Sequence, residues 1–230
     1  MAAMETQVAI RQKLAKLIEK FYLLEKRQKK FIPGKTKVRY SGGWFDHQEV
    51  TAMLNTLLGG WLGVGVVGEK LEEKLAAYIG APRTLLTNSG SSATLLSVAA
   101  LTSRLRPDPL KPGDEVITPA CTFATTVSAI VRNNLVPKFV DVDINTLNPT
   151  VESIAKAITR KTRAIVVVHT LGNPNDMRAI MKVAREHKLY VVEDNCDGLG
   201  SIIDGKKTGS FGHLATESFY PAHHITTGGE

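Results

Sequence analysis

Downstream of Gly80, short apolar runs alternate with longer amphipathic stretches. The runs are rich in Val, Ile and Leu and nearly uninterrupted, which is typical of strands buried on both faces of a parallel sheet. The stretches between them carry apolar residues at helical spacing. The pattern predicts an α/β fold with a mostly parallel central sheet and helices on both faces. The predicted strands cover residues 83–88, 114–119, 136–143, 163–170, 189–194 and 215–220, and the predicted helices cover 91–105, 123–133, 151–158 and 176–187.

Upstream of Gly80 the pattern is helical. Apolar residues recur at spacings of three and four between residues 10 and 24, which predicts a helix over about residues 5–30. Further helices are predicted from Asp46 to residue 58 and over residues 69–78. Residues 59–68 are too rich in glycine for a regular element.

The basic character of the chain is confined to its N-terminus. Residues 1–40 hold eleven Lys and Arg against three acidic residues, whereas the other 190 residues have a net charge of −1. This basic segment is consistent with binding an acidic partner or phosphates, or with a solvated helix face. Because the charge is local, it does not indicate a nucleic-acid-binding domain.

Three features of the sequence bear on the cellular location of the protein. No apolar run approaches the ~18 residues of a membrane helix, and the N-terminus has no apolar core of a signal peptide. The two cysteines, Cys121 and Cys196, fit a reducing compartment and no disulfide framework, with a single Cys121–Cys196 bridge as the alternative. The sequence therefore predicts a cytoplasmic protein.

Polar and aromatic residues gather where the predicted strands end, which is where ligands bind in parallel α/β sheets. Asp194 ends a buried strand. Its carboxylate is either a partner for a cationic nitrogen of a ligand or a cap of the next turn. Gly90 and Ser91 open a helix after residues 83–88, which suits phosphate binding and ordinary N-capping equally. Phe123 either offers a flat apolar surface to a planar ring or is an ordinary side chain of the core.

Seven segments, in order, resemble the fold-type I pyridoxal-phosphate enzymes, and closely the DegT/DnrJ/EryC1/StrS family of sugar aminotransferases and dehydratases. This family acts on nucleotide-linked ketosugars. The resemblance covers about residues 45–228, and the segments that carry it read GEKLEEKLAAYIGA, LLTNSGSSATLLS, GDEVITPACTFATTVSAI, VPKFVDVDINTLN, VVVHTLGNPNDM, VVEDNCDGLGS and GSFGHLATESFYPAHHITTG.

The resemblance implies a role for each candidate residue. Phe123 would stack on the cofactor's pyridine ring, and Asp194 would pair with its nitrogen, which makes the ring an electron sink. Asp197 stands at the position that would contact the cofactor's ring oxygen. Most members have Gln there, so this chain departs from the family pattern at that contact. The residues implied to contact the cofactor phosphate are Gly90, Ser91 and Ser218.

The resemblance also implies a homodimer and two parts of the chain. Residues 1–40 would be a basic helical extension, and residues 41–230 a large cofactor-binding domain. The small C-terminal domain of the family does not follow, so the chain is expected to be the N-terminal part of a longer enzyme and to be inactive or weakly active by itself. The alternative is a catalytically inactive homologue that keeps the fold as a dimer partner or binding module.

His223 occupies the position where most family members carry the lysine that bonds to the cofactor, and no lysine follows Lys207. An imidazole cannot make that bond, but it can move protons near neutral pH. The substitution implies pyridoxamine phosphate as the working cofactor, with His223 as base, and dehydration at C3 of a ketosugar instead of transamination. Neighbouring His224 is expected on the opposite side of the strand end.

Cys196 distinguishes two groups of the family that carry this histidine. One resembles the CDP-4-keto-6-deoxyglucose-3-dehydrase of 3,6-dideoxysugar formation, with a [2Fe–2S] cluster fed by a flavin/iron–sulfur reductase. The other resembles the clusterless GDP-4-keto-6-deoxymannose-3-dehydratase. Cys196 and the N-terminal helix favour the first, and three further ligands would lie downstream of His223. Cys121 is expected to be a packing residue.

Overall fold

The computed structural model describes residues 6–26, 31–38, 41–43, 45–61 and 63–228. Parts of the predicted first helix, residue 5 and residues 27–30, lie outside the described residues. The chain divides into two compact units, residues 1–70 and 71–230. The domain boundary expected after residue 40 stays a prediction.

The first unit is helical, as predicted. Helix α1 covers Gln7–Lys26 and helix α2 covers His47–Leu58. Asp46 caps α2 because its side chain accepts from the Gln48 amide at 2.8 Å, while Glu49 accepts from the Asp46 amide at 2.7 Å. This reciprocal capping box explains why the helix begins here.

Arg11 of α1 connects the two helices. Its guanidinium donates to the backbone oxygen of Asn55 at 3.3 Å, to the side-chain oxygen of Asn55 at 3.1 Å and to the backbone oxygen of Leu58 at 2.9 Å. These carbonyls lie in the last turn of α2, where a cation also meets the negative end of the helix dipole.

Helix α3 covers Val66–Ile79, so it starts three residues earlier than predicted. The glycine-rich segment is therefore not irregular throughout. A single glycine inside the helix, Gly68, costs about 1 kcal/mol relative to alanine, which the rest of the helix tolerates.

The second unit is built around a five-stranded sheet in the order β2-β1-β3-β4-β7, in which every pair is parallel. This arrangement confirms the predicted fold class. The strands are β1 Glu115–Pro119, β2 Val136–Val140, β3 Thr162–Val168, β4 Tyr190–Asp194 and β7 Leu214–Thr216. The helices are α4 Gly90–Thr102, α5 Ala124–Arg132, α6 Val151–Ala157 and α7 Met177–Glu186.

Two separate cores lie on the two faces of the sheet. Val166 of β3 packs in one core with residues of α4 and α5, and its neighbour Val167 packs in the other with residues of α6 and α7. The alternation follows from the two-residue period of a strand. Helices therefore cover both faces, and the open edge at the strands' carboxyl ends is left for a site.

Two predictions about this unit were wrong. Residues 83–88 form no strand, because Thr84 Oγ1 donates to the Glu72 carbonyl at 2.5 Å and the Leu86 amide donates to Glu72 Oε1 at 2.7 Å. Glu72 of helix α3 thus binds the Leu86 amide, a backbone donor that a strand would use for pairing. Between residues 194 and 215, where no strand was predicted, the chain forms a hairpin of β5 Ile202–Ile203 and β6 Lys206–Lys207.

Among the described residues, no helix combines the length and the apolar character needed to cross a membrane.

Candidate active site

The N-terminus of α4 and the end of β7 meet at Gly90 and Ser218. A Cβ added at Gly90 would lie 2.5 Å from Ser218 Cβ and 2.7 Å from Ser218 Oγ, so only glycine fits. The two elements are also joined by the hydroxyls of Thr94 and Thr216, 3.4 Å apart. The structure thus brings together two of the three residues predicted to hold a phosphate.

The third residue, Ser91, is exposed in the first turn of α4. The N-cap is its neighbour Ser89, whose side chain accepts from the Ser92 amide at 3.1 Å. The capping interpretation therefore applies to Ser89 and leaves Ser91 at a helix N-terminus, where backbone amides favour an anion.

Replacing Gly90 with alanine is expected to destabilise the α/β unit by about 1–3 kcal/mol, because the new methyl group overpacks against Ser218. Urea unfolding followed by circular dichroism measures the loss. The matched test is the double variant Gly90→Ala/Ser218→Gly, which removes the clashing Cβ and should recover part of the loss. Strictly additive single effects would contradict this contact.

Asp194, the last residue of β4, is 6% exposed and lies on the α5 side of the sheet. Thr126 Oγ1 of α5 donates to Asp194 Oδ2 at 2.7 Å. The Cys196 amide donates to Asp194 Oδ1 at 3.4 Å. Both oxygens are therefore oriented. Thr126 was not identified from the sequence, where its only signal is its place in the first turn of the helix that follows Phe123.

Phe123 is the N-cap residue of α5 and is 71% exposed. This exposure excludes the core interpretation and leaves its ring free at the end of β1. Cys121 is also exposed, so the expectation that it is a packing residue was wrong. It lies in the loop between β1 and α5, outside both hydrophobic cores.

His223 lies against Asp197. The distance from His223 Nδ1 to Asp197 Oδ1 is 3.0 Å, and the side chains are 18% and 38% exposed. The atoms are at ion-pair distance without the alignment of a hydrogen bond. The His223 amide donates to the Tyr220 carbonyl at 2.9 Å, and the two rings pack edge to face at 6.4 Å.

His224 is directed elsewhere. It lines an apolar groove of about 400 Å³ together with Leu75 and Tyr78 of α3 and with Phe219. The two histidines therefore have different surroundings, as expected, but they lie in a turn and not at the end of a strand.

A buried acid next to Asp194 was not identified from the sequence. Glu193 is fully buried and faces the other side of β4, where His169 Nε2 donates to its Oε2 at 3.1 Å. The His169 tautomer follows from its other nitrogen, Nδ1, which accepts from the Asn175 amide at 3.1 Å. Three further donors reach the carboxylate, the amides of Gly209, Phe211 and Gly212 at 2.9, 2.7 and 2.6 Å.

Glu193 thus ties β3 to the loop that leads into β7. Burial alone would raise the pKa of Glu193, but the hydrogen bonds from His169, Gly212 and Gly209 outweigh it and hold the pKa below its ordinary value. In the sequence, Glu193 is marked only by the pair of acids that ends β4. Its hydrogen-bond partners are distant in the chain, so the sequence does not reveal them.

Glu217 is a second acid that the sequence argument missed. It precedes Ser218, and its Oε1 accepts from the Asn195 side-chain amide. Its other oxygen, Oε2, is buried without a hydrogen-bond partner in the described part of the chain. Burial raises the pKa of Glu217 to about 8, and the charges of Asp194 and Glu193 add to the shift against the Asn195 hydrogen bond.

Cys196 follows β4 and is partly buried, with Sγ 4.0 Å from the Thr216 carbonyl oxygen. Burial raises the pKa of its thiol well above the usual range, and the nearby charges of Asp194 and Glu217 add to the effect. The residues that the structure describes contain no group of three or more His, Cys, Asp or Glu able to hold a metal ion. They do not form an iron–sulfur site by themselves.

The parallel sheet with helices on both faces and the site at the strands' carboxyl ends matches the fold of fold-type I pyridoxal-phosphate-dependent proteins. Residues 45–230 match the model of the DegT/DnrJ/EryC1/StrS aminotransferase family. The chain belongs to this family.

Three relatives illustrate the similarity of the chain to members of the family. A dTDP-4-dehydro-2,6-dideoxy-D-glucose 3-dehydratase of Saccharopolyspora spinosa is 46% identical over 90% of this chain and 45% of its own. The lipopolysaccharide biosynthesis protein RfbH of Salmonella typhimurium is 43% identical over 95% of this chain and 50% of its own. The E. coli GDP-4-keto-6-deoxy-D-mannose-3-dehydratase with bound hydrated PLP superposes with a TM-score of 0.79 at 36% identity, over 84% of this chain and 49% of its own.

The chain spans about half the length of the relatives it matches. Sugar dehydratases and aminotransferases are both among its relatives. The family is therefore established, and the reaction has to be inferred from the site.

Proposed function

We propose that the chain is the cofactor-binding part of a pyridoxamine-phosphate-dependent 3-dehydrase of a nucleotide-linked 4-keto-6-deoxyhexose. The observation that carries the proposal is the imidazole of His223 at the position of the family's lysine. A histidine supports proton transfer but not the covalent attachment that transamination uses.

The described residues fit the cofactor. The N-terminus of α4, with Gly90, Ser91 and Ser218, would hold its phosphate. Phe123 would stack on its ring, and Asp194, oriented by Thr126, would pair with the ring nitrogen. When bound, pyridoxamine phosphate supplies an amine for the sugar's ketone and a ring that accepts electrons.

His223 would act as the base of the dehydration. Its side chain is 18% exposed, so the ring still reaches the open side of the site. A neutral imidazole takes up a proton most effectively near neutral pH. The proton that His223 takes up and the hydroxyl lost from C3 together make one water, so this step consumes no external oxidant.

The finer assignment is a CDP-4-keto-6-deoxyglucose-3-dehydrase of 3,6-dideoxysugar formation for O-antigen. We propose Cys196 as one ligand of a [2Fe–2S] cluster, with the other ligands outside the printed sequence and a flavin/iron–sulfur reductase as electron donor. A bound metal ion would counter the burial that raises the thiol pKa, since a coordinating thiol is deprotonated. The name of the relative RfbH, a lipopolysaccharide biosynthesis protein, supports the O-antigen assignment. We also propose that the whole protein is a cytoplasmic homodimer.

A clusterless dehydratase of a GDP-linked sugar is the second candidate. It is favoured by the similarity to the E. coli GDP-4-keto-6-deoxy-D-mannose-3-dehydratase. Iron and sulfide analysis of the whole protein separates the two candidates. Two irons per chain support the first, and none supports the second.

The position of His223 is tested by restoring the family's lysine. The variant His223→Lys, mixed with pyridoxal phosphate, is expected to absorb in the visible and to become labelled at residue 223 after borohydride reduction, because the amine now reaches the cofactor's aldehyde. The matched control is His224→Lys, which places the same amine one residue away in the groove beside α3.

The control is expected to show neither the band nor the label. A folded His223→Lys variant without a band, or equal bands in both variants, would show that residue 223 does not face the cofactor. The proposed role of His223 as base would then be wrong.

A further inference from the structure

The Asp197 carboxylate lies between the end of β3 and the turn that carries His223. Its Oδ2 accepts from the Leu171 amide at 3.3 Å, and its Oδ1 is 3.0 Å from His223 Nδ1. Because one oxygen is held by the backbone, the other keeps a fixed direction. Asp197 therefore presents a negative charge to one particular nitrogen of the ring.

We propose that Asp197 is a positioning residue for His223, which keeps the ring proton on Nδ1 and leaves the Nε2 lone pair for the reaction. The inference deepens the proposed function and rests on it for the role of His223. An ionised carboxylate is an acceptor only, so it favours the tautomer with the proton on the facing nitrogen. In the described part of the chain, His223 Nδ1 has no aligned hydrogen-bond partner that would compete with Asp197.

This role differs from the one that the family resemblance implies for residue 197. A Gln at this position would be expected to reach the cofactor's ring oxygen, whereas the Asp side chain is one methylene shorter and turns to the base. Base and orienting carboxylate then form the pair found where a histidine acts as a general base. The exchange of Gln for Asp and that of Lys for His would be linked changes.

The charge contributes little to folding, which makes the role separable from stability. Asp197 is 38% exposed, and ion pairs with exposed partners contribute little to stability. In Asp197→Asn the amide oxygen can still accept from the Leu171 amide. The variant therefore removes the charge facing His223 while it keeps the volume and the backbone contact.

The tautomer is measured on the 230-residue chain with ¹⁵N-labelled histidine, by long-range ¹H–¹⁵N correlation at a pH where the imidazoles are neutral. Loss of one signal set in His223→Gln assigns His223 among the six histidines. The wild type is expected to carry the proton on Nδ1. Asp197→Asn is expected to move a large part of the population to the Nε2-protonated form, and Asp197→Glu, which keeps the carboxylate, should restore part of the wild-type signature.

The matched control is Asp204→Asn. This carboxylate is also exposed and paired, with Arg178 at 3.0 Å, and its backbone φ of 47° is one that asparagine tolerates. Its variant should leave the His223 signals unchanged, and unchanged signals of the other histidines report that each variant is folded. A wild-type proton on Nε2, or the same tautomer in wild type and Asp197→Asn, would overturn the proposal.

The two proposals fail separately. The tautomer is read without cofactor or substrate, so it stands or falls independently of the reaction. Failure of the His223→Lys experiment would refute the base assignment and leave the tautomer result intact. A tautomer that ignores Asp197 would refute only the positioning role.

Discussion

Replacing Glu193 with alanine is expected to destabilise the α/β unit by about 3–5 kcal/mol, because four donors lose the buried carboxylate that accepts from all of them. The carboxylate is fully buried and accepts from His169 and three backbone amides. Alanine would leave all four donors without an acceptor, and each unsatisfied buried donor costs about 1–3 kcal/mol before relaxation.

Circular dichroism in urea is the suitable measurement, because residues 71–230 contain no tryptophan. Glu193→Gln should also be destabilised, since its amide nitrogen would face a donor whichever way it is turned. The control is Glu73→Ala, an exposed acid of α3. Hydrogen exchange should be faster at the Phe211 and Gly212 amides in the Glu193 variants alone. Wild-type stability and protection in Glu193→Ala would contradict the anchoring role.

The pH dependence of this effect has a definite sign. The folded-state pKa of Glu193 is lowered, because the hydrogen bonds from His169, Gly212 and Gly209 outweigh burial. The folded state therefore binds fewer protons, so the stabilisation is present above the unfolded pKa near 4.5 and is lost as the pH falls through the folded pKa. The gap between wild type and Glu193→Ala should narrow only in acid.

The fold could be predicted from sequence because it depends on local patterns. Apolar runs and helical periodicity locate β1 to β4 and α4 to α7 to within a few residues. The pattern failed at residues 83–88, where an apolar run is held by the Glu72 side chain, an interaction that periodicity does not encode. It also missed the β5–β6 hairpin, although Asp204-Gly205 between two apolar or long side chains is a typical hairpin turn.

The site was only partly predictable, for a related reason. Asp194 and Phe123 are visible in the sequence because strand ends position them. The contact between Asp197 and His223 joins residues 26 positions apart, and that of Glu193 with the residue 209–212 loop depends on which face of β4 each acid takes. Residue types can be listed from the sequence, but such pairings are set by the packing of the whole sheet.

The variant Glu217→Gln is expected to become more stable than wild type as the pH rises. Burial, with the charges of Asp194 and Glu193, raises the pKa of Glu217 to about 8 from an ordinary value of 4.5. The folded protein therefore keeps a proton that the unfolded chain gives up. The stabilisation that this proton represents is complete below pH 4.5 and is lost progressively up to about pH 8.

Glutamine mimics the protonated acid and does not titrate, and its side-chain oxygen can still accept from Asn195. The stability difference between Glu217→Gln and wild type should therefore be small near pH 4.5 and grow by about 1.4 kcal/mol per pH unit towards pH 8. Urea midpoints across this range measure it, and titrating groups distant from residue 217 cancel because both proteins share them. Glu73→Gln, at an exposed site, should run parallel to wild type. A constant difference for Glu217→Gln would show that this acid is ionised in the folded protein, so that its environment is far more polar than the burial of its side chain implies.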